Sequence, residues 1–381
     1  MAVLAVSVFA TAGTIHYQTP ALALIGTEFH ANAAAVGWVA TLSFAGFLAG
    51  TILLVPLGDR IDKRWLILGN LAGLIISVLA MAAAPSVAVL AALSFVTGVG
   101  ASVSQHIVPL VAELARPNER GRAVGTVLSG LFLGILFARV VGGLIASHLG
   151  WRWMYVISAV MMLAVTPALV MRLPSTQPQT RLAYPALIRS LVALLRQHAE
   201  LRYAAAIQFL LGVCYGGFWA TLAPMLMLMH GVGPAFAGLV GIPGAAGIFV
   251  SRPAGHWMDR RGVVPVVRTG VCLVMAAFAA FAFAQSWIGA VFVGAVLLDC
   301  GLRAAMVANQ TLANAIAADA RSRSNTVFAA HVWGGNATGA FLASTALTHG
   351  GWLAVCAMAL IASGMALLVQ WSTARRAARA P

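Results

Sequence analysis

The sequence predicts an all-α membrane protein of twelve transmembrane helices arranged as two pseudo-symmetric six-helix bundles. Three observations predict it. Of 381 residues, 61% are hydrophobic and only 8% charged, whereas soluble domains carry about 25% charged residues, so water is not the solvent for most of this surface. Apolar runs of roughly 20 residues recur along the chain, each long enough to cross a hydrocarbon core of about 30 Å. Finally, the stretch Val55-Pro56-Leu57-Gly58-Asp59-Arg60-Ile61-Asp62-Lys63-Arg64 is echoed by Gly255-His256-Trp257-Met258-Asp259-Arg260-Arg261-Gly262. In both, an apolar run stops at an aspartate and a cluster of cations, and another run begins almost at once.

The spans fall near 3–26, 35–57, 65–84, 87–112, 123–147 and 151–171, then 203–229, 235–257, 263–284, 287–312, 326–347 and 352–371. The first has no charged leader and reads as a spanning helix rather than a cleaved signal. Lys and Arg gather at 60–64, 116–122, 172–202, 252–268, 321–323 and 375–379, groups that hold 20 of the 23. An even number of spans puts all six groups on one side, which the positive-inside rule makes cytoplasmic, with both termini. The expected organisation is a six-helix bundle over 1–172, a cytoplasmic linker over 173–201, a second bundle over 202–372 and a cytoplasmic tail over 373–381. In the linker, Leu187, Leu191, Leu194 and Leu195 recur at helical spacing with Arg189 and Arg196 among them, the pattern of an amphipathic helix on a membrane surface.

The halves match elsewhere too. Arg120-Gly121-Arg122 corresponds to Arg321-Ser322-Arg323, and Gly150-Trp151 to Gly351-Trp352, at offsets of 200 or 201 residues. Six spans duplicated in parallel is a transporter plan, with substrate held near the midplane. A net charge of +14 does not imply nucleic acid, because the cations occupy short connections rather than one face. The four cysteines stand apart inside apolar runs, which excludes disulfide and metal readings. No GxxxxGK[ST] loop is present and no hydrolytic constellation assembles, so neither ATP-driven transport nor an enzyme is expected; no cofactor or metal is called for.

The Asp59 stretch and its Asp259 echo resemble the cytoplasmic signature loop of the major facilitator superfamily, Gly-x-Leu-Ala-Asp-Arg-x-Gly-Arg-Arg. The second copy keeps Gly255, Asp259, Arg260 and Gly262; the first keeps Leu57, Asp59, Arg60, Lys63 and Arg64, with Val55 and Asp62 in place of the glycines. Tyr17-Gln18-Thr19-Pro20, Gly150-Trp151-Arg152, Leu298-Asp299-Cys300-Gly301, Asn309-Gln310-Thr311 and Ala320-Arg321-Ser322-Arg323-Ser324-Asn325 resemble bacterial proton-coupled drug or metabolite efflux permeases. The resemblance implies the major facilitator fold in a bacterial inner membrane, acting as a monomer. It also implies export of a small organic molecule by proton antiport and alternating access. Uptake by proton symport is the alternative, and a non-transporting membrane sensor a distant one. Two departures bear on coupling. The run Ser94-Phe95-Val96-Thr97-Gly98 lacks the span-four arginine of many drug/proton antiporters, and Arg139 stands where their span-five proline would be.

By the same resemblance Asp59 would sit against the start of span eleven and Asp259 against that of span five. With Arg60, Arg64 and Arg260 they would form a latch favouring the outward-open state, carboxylates being stabilised at helix N-termini. Gly130, Gly134 and Gly142 in span five, and Gly335 and Gly339 in span eleven, form small-residue stripes for close helix packing, placed to be where the halves rock. Ionisable groups inside a membrane are functional candidates. Asp299 and Arg303 stand one turn apart in span ten, either neutralising each other or with Asp299 titrating, or facing a substrate cation, while Arg303 tunes it. Arg139, with no acid in its own helix, reads as the partner of an acid across the cavity, as an anion contact to substrate, or as a side chain that snorkels outward. His16, Tyr17 and Gln18 in span one and Gln208 and Tyr215 in span seven complete the candidates for a substrate or proton pathway. Glu113 is expected beside Arg116 at the cytoplasmic edge.

Overall fold

The computed structural model describes residues 2–116, 119–177, 183–315 and 321–377, and every regular element among them is helical. Span one is divided into α1 (Ala2–Ala12) and α2 (Gln18–Glu28). Spans two to six are α3 (Ala33–Leu57), α4 (Lys63–Ala82), α5 (Val87–Ala101) with α6 (Val103–Leu114), α7 (Arg120–His148) and α8 (Trp151–Arg172). The connection carries α9 (Tyr184–Gln197). Span seven is α10 (Ala199–His230), and span eight is divided into α11 (Pro234–Leu239), α12 (Gly241–Gly244) and α13 (Gly247–Arg261). Next come α14 (Val263–Ala282), α15 (Gly289–Ala315) and α16 (Arg321–Ala377).

Among the described residues, ten helical stretches are long and apolar enough to cross a membrane. One of them is α16, which supplies two spans because Gly351 interrupts it at φ 68°, ψ −167°. With α1 and α2 counted as one more span, the total is twelve. Gly150, φ 92°, makes the equivalent break between α7 and α8. An L-residue is strained at either φ, so the duplicated glycine has a backbone reason. Helix starts are capped locally: Asn32 accepts from the Ala35 N–H at 2.9 Å, Asp62 from the Arg64 N–H at 2.9 Å, and Ser86 from the Val89 N–H at 3.3 Å. These side chains satisfy donors that a helix start otherwise leaves orphaned.

The chain divides into two compact units, one of residues 1–188 with 232–239, the other of residues 189–231 with 240–381. The division therefore runs through α9 and behind α11. Leu187, Leu191 and Leu194 of α9 are buried while Arg189 and Arg196 are exposed. The Tyr184 hydroxyl donates to the Leu53 carbonyl at 2.8 Å. Arg202 donates to the carbonyls of Leu195 (3.1 Å) and Arg196 (2.6 Å), closing the end of α9.

Each unit is built on glycine contacts between parallel helices. In the first, a Cβ on Gly130 would stand 2.5 Å from the Ala5 carbonyl oxygen, and one on Gly134 would overlap that of Phe9. In the second, Gly335 and Gly339 meet the carbonyl oxygens of Phe209 and Val213 in the same way. Span five thus packs on span one, and span eleven on span seven, at positions 204 or 205 residues apart. The partners of these four glycines lie within their own unit. The other stripe residue, Gly142, takes the Tyr17 ring, whose Cδ1 would lie 3.0 Å from a Cβ there. In α10, 89% of the most apolar window is buried against 56% or less in the other spans, which makes it the axis of the second unit.

Helices in lipid gain little from hydrophobic association and depend on such close approach. Gly134→Leu and Gly339→Leu are therefore expected to destabilise their units by about 1–3 kcal/mol or more, the usual cost of overpacking. Nothing lies within 4 Å of a Cβ at Gly73, so Gly73→Leu is expected to be close to neutral. Apparent melting temperatures of the purified variants in one detergent check the ranking.

Candidate functional site

The first unit's polar residues lie at the break in span one. Pro20 has no N–H to donate to the His16 carbonyl, and its ring disfavours helix at that point. The His16 carbonyl instead accepts from the Thr19 hydroxyl at 2.8 Å and the Thr19 N–H at 3.3 Å. The Thr14 hydroxyl closes the end of α1 by donating to the Thr11 carbonyl at 2.7 Å. His16, Tyr17 and Gln18 are all buried. Gln18 donates to the Ile15 carbonyl at 2.9 Å and to the Ser43 hydroxyl at 2.7 Å, which leaves its Oε1 as a buried acceptor with no donor. The His16 ring stands 6.2 Å from that of Phe44. Arg139, 4% exposed, is one turn before Gly142 and hence one turn from the Tyr17 ring. On another face of α7 the Arg139 carbonyl meets Gly238, and Gly143 meets the Pro234 carbonyl, so α11 packs on α7 within this unit.

The second unit's polar residues lie where span eight is interrupted. At Gly241-Ile242-Pro243-Gly244 the backbone tightens to i→i+3 bonds, Ala245 to Ile242 at 3.1 Å and Ala246 to Pro243 at 3.0 Å. Such tightening inside a span marks a hinge or a strained site. The break brings Gly244 up to α15: a Cβ there would be 3.0 Å from Asp299 Oδ2 and 3.5 Å from Trp219 Cζ2. The Tyr215 ring lies 6.2 Å from that of Trp219. Asp299 (3% exposed) and Trp219 are thus gathered over one glycine, with Tyr215 beside the indole. Gly247 lies against the Asp299 carbonyl and the Arg303 stem, at 2.7 and 2.9 Å from a Cβ. Gln208 is two turns before Tyr215, fully buried, with neither amide atom hydrogen-bonded. Trp219 was not legible as a site residue, although its spacing, one turn beyond Tyr215, was a usable signal.

The signature loop shows a different carboxylate at work. Asp59 lies in the turn between α3 and α4, Arg60 is exposed, and Arg64 donates to the Val170 carbonyl at 2.9 Å. Asp259 and Arg260 are exposed in the last turn of α13. Asp62, which in sequence is only a departure from the family pattern, accepts from the Ser175 hydroxyl (2.5 Å), the Thr176 N–H (2.9 Å) and hydroxyl (3.1 Å), and the Arg64 N–H. It fastens the chain beyond α8 to the start of α4. Glu113, expected at the cytoplasmic edge with Arg116, pairs with Lys63 at 2.5 Å. Lys63 is nearly buried, and a buried cation requires a carboxylate within reach, which local sequence does not reveal. At the opposite end of the unit Glu28 is held by Arg152 and by the Trp151 N–H at 2.6 Å, and the Arg152 guanidinium stacks 4.3 Å above the Trp151 ring.

These bonds set the acidity of two carboxylates outside the spans. The Ser175 hydroxyl holds Asp62 down, against the opposing effect of burial and with help from Thr176 and the Arg64 N–H, to about 2. Burial pushes Glu28 up, but its bonds to Arg152 and Trp151 and the Arg152 charge outweigh burial and leave it below the usual range.

A carboxylate depressed in the folded state contributes stability that is complete above its ordinary value, near 4, and is lost as pH falls through its folded value. Asp62→Asn is therefore expected to lower the apparent melting temperature at pH 6, by the equivalent of about 1 kcal/mol for a lost cap. The gap to wild type should close as pH falls from 4 toward 2. Thermal unfolding across that range checks it.

Residues 4–262 match the Major Facilitator Superfamily. An uncharacterized transporter, YgaY, of Escherichia coli O157:H7 is 31% identical over 357 residues, covering 93% of this chain and 91% of the relative. A probable transporter of Streptomyces coelicolor is 33% identical over 372 residues, covering 97% and 85%. Among solved structures, a bacterial homolog of the human lysosomal transporter Spinster, inward-facing and unoccupied, shares the fold with a TM-score of 0.76 at 17% identity, covering 97% of this chain and 96% of that one.

Proposed function

The chain belongs to the Major Facilitator Superfamily, and on that footing we propose that it exports a small organic molecule in exchange for protons by alternating access. It is an integral membrane transporter; the proposal adds direction and coupling. The single observation that carries coupling is Asp299. A carboxylate only 3% exposed, between an indole and an interrupted span, is costly to keep charged in a membrane, and taking up a proton is how such a group relieves the cost. Arg303, one turn along α15, then biases the Asp299 proton. The interrupted spans one and eight supply the mobile backbone around these side chains.

Export rather than uptake is supported by the resemblance of the Tyr17-Gln18-Thr19-Pro20 and Leu298-Asp299-Cys300-Gly301 stretches to efflux permeases. The basic clusters support a bacterial inner membrane with both termini in the cytoplasm. Asp59 and Asp259, with Arg60, Arg64 and Arg260, act as the conformational latch, and one copy of the chain suffices.

Reconstituted vesicles test both parts. Under an imposed pH gradient, wild type is expected to drive substrate against its gradient with counterflow of protons. Asp299→Asn should lose uphill transport yet keep substrate exchange, since exchange needs no net proton movement. Proton flow in the same direction as substrate would replace antiport by symport, and uphill flux retained by Asp299→Asn under the pH gradient would remove Asp299 from the coupling. Asp59→Asn is expected to cut flux severalfold at unchanged protein level in the membrane; wild-type flux would dismiss the latch.

A further inference from the structure

The cytoplasmic turn of the first unit has a histidine behind it. His106, in α6, is 3% exposed, and its Nε2 has no hydrogen-bond partner. A Cβ on Gly58, next to Asp59 in the turn between α3 and α4, would stand 3.2 Å from His106 Nδ1. Glu113, seven residues further along α6 and on the same face, holds Lys63 at 2.5 Å. The turn thus runs along α6, with Gly58 over His106 at one end and Lys63 over Glu113 at the other. Lys63 is buried, and its charge acts on the His106 ring. Its N–H donates to the Thr176 hydroxyl at 2.9 Å.

Few other charges reach this place. Of the helices packed on α6, α1 and α3 carry none. The charges of α4 are Lys63 and Arg64 at its start; α7 opens with Arg120 and Arg122, and its Arg139 lies 17 residues beyond Arg122. Arg64 donates to the Val170 carbonyl, and Asp62 is engaged by Ser175 and Thr176. Asp59 and Arg60 belong to the turn itself. Glu113 is the one carboxylate of α6, and Lys63 already occupies it. A neutral imidazole, one donor and one acceptor, needs no counterion here. An imidazolium makes both nitrogens donors and sets a second cation beside a carboxylate that serves the first, a costly arrangement away from water. Moving Lys63, and with it the turn, away from the ring relieves that cost.

We propose that His106 is a proton-operated prop for this turn: neutral, it supports Gly58 and leaves Lys63 on Glu113; charged, it drives Lys63 and the turn away from α6. It is a positioning residue, acting on the backbone that bears Asp59 rather than on cargo. The device is separate from coupling at Asp299 and needs no substrate to operate.

Hydrogen–deuterium exchange of the purified full-length protein in one detergent, read by mass spectrometry over residues 54–66, tests it. Wild type and His106→Gln are compared at each pH, which removes the intrinsic pH dependence of exchange. At pH 7.5 the two are expected to exchange alike. At pH 5.5 wild type is expected to exchange roughly tenfold faster, as follows when an open turn exposes an imidazole that takes its proton at about pH 6.5. Peptides of α14 should show no difference. A response that came from the carboxylates of the turn would persist in His106→Gln. Should His106→Gln fail to fold, Lys63→Gln keeps the imidazole but removes the neighbouring cation, and is expected to cut the acid response to about threefold or less. Wild-type exchange that, corrected for its intrinsic rate, is the same at pH 5.5 and 7.5 would overturn the proposal. So would a full acid response in His106→Gln or, in its place, in Lys63→Gln.

Discussion

The whole structure depends on how closely two helix backbones approach when no water drives them together. Lipid tails compete with side chains for apolar contact, so what holds these helices is van der Waals packing at short range. The chain meets the requirement with glycines set against carbonyl oxygens: Gly134 on Phe9 and Gly339 on Val213, Gly46 on Phe95 and Gly247 on Asp299. Arg139, Gln208, Tyr215, Asp299 and Arg303 are all carried by helices fixed in this way. Tyr17 is positioned because Gly142 offers no side chain, and Asp299 because Gly244 and Gly247 offer none.

The same contacts show what duplication kept and what it altered. Gly46 meets the Phe95 carbonyl and Gly247 that of Asp299, so the two pairs are equivalent at offsets of 201 and 204 residues. The packing is shared while the side chain beyond it differs, phenylalanine in one copy and aspartate in the other. Arg303 likewise answers to Val99. The Asp–Arg pair thus belongs to one copy only, on a backbone arrangement that both copies share. The helix starts after the paired glycines differ as well: Trp151 donates to Glu28, whereas its counterpart Trp352 donates to the Phe281 carbonyl at 2.6 Å.

Much of the fold was legible because its causes are local. Run length identifies the spans, and a cluster of cations after an aspartate identifies the tight turns. The break in span one was less so, because residues 3–26 are long enough to cross as one helix; only Pro20, four residues past His16, hints at it. Span eight was easier, with Gly241, Pro243, Gly244 and Gly247 inside two turns. What could not be read were partners far apart in sequence. Glu113 finds Lys63 fifty residues earlier, and Asp62 finds Thr176 more than a hundred residues later. Neither distance leaves a periodicity. Trp219 was hidden for the opposite reason: an aromatic residue in an apolar helix looks like ordinary packing until Gly244 is seen beside it.

The divided first span has one more consequence. A continuous helix keeps its peptide dipoles aligned end to end, with partial charges only at the membrane surfaces. Here the carbonyls that close α1 and the N–H groups that open α2 meet deep among apolar side chains. The main chain therefore supplies a fixed polarity beside Tyr17 that no change of pH removes, a constant background against which a side-chain proton is gained or lost.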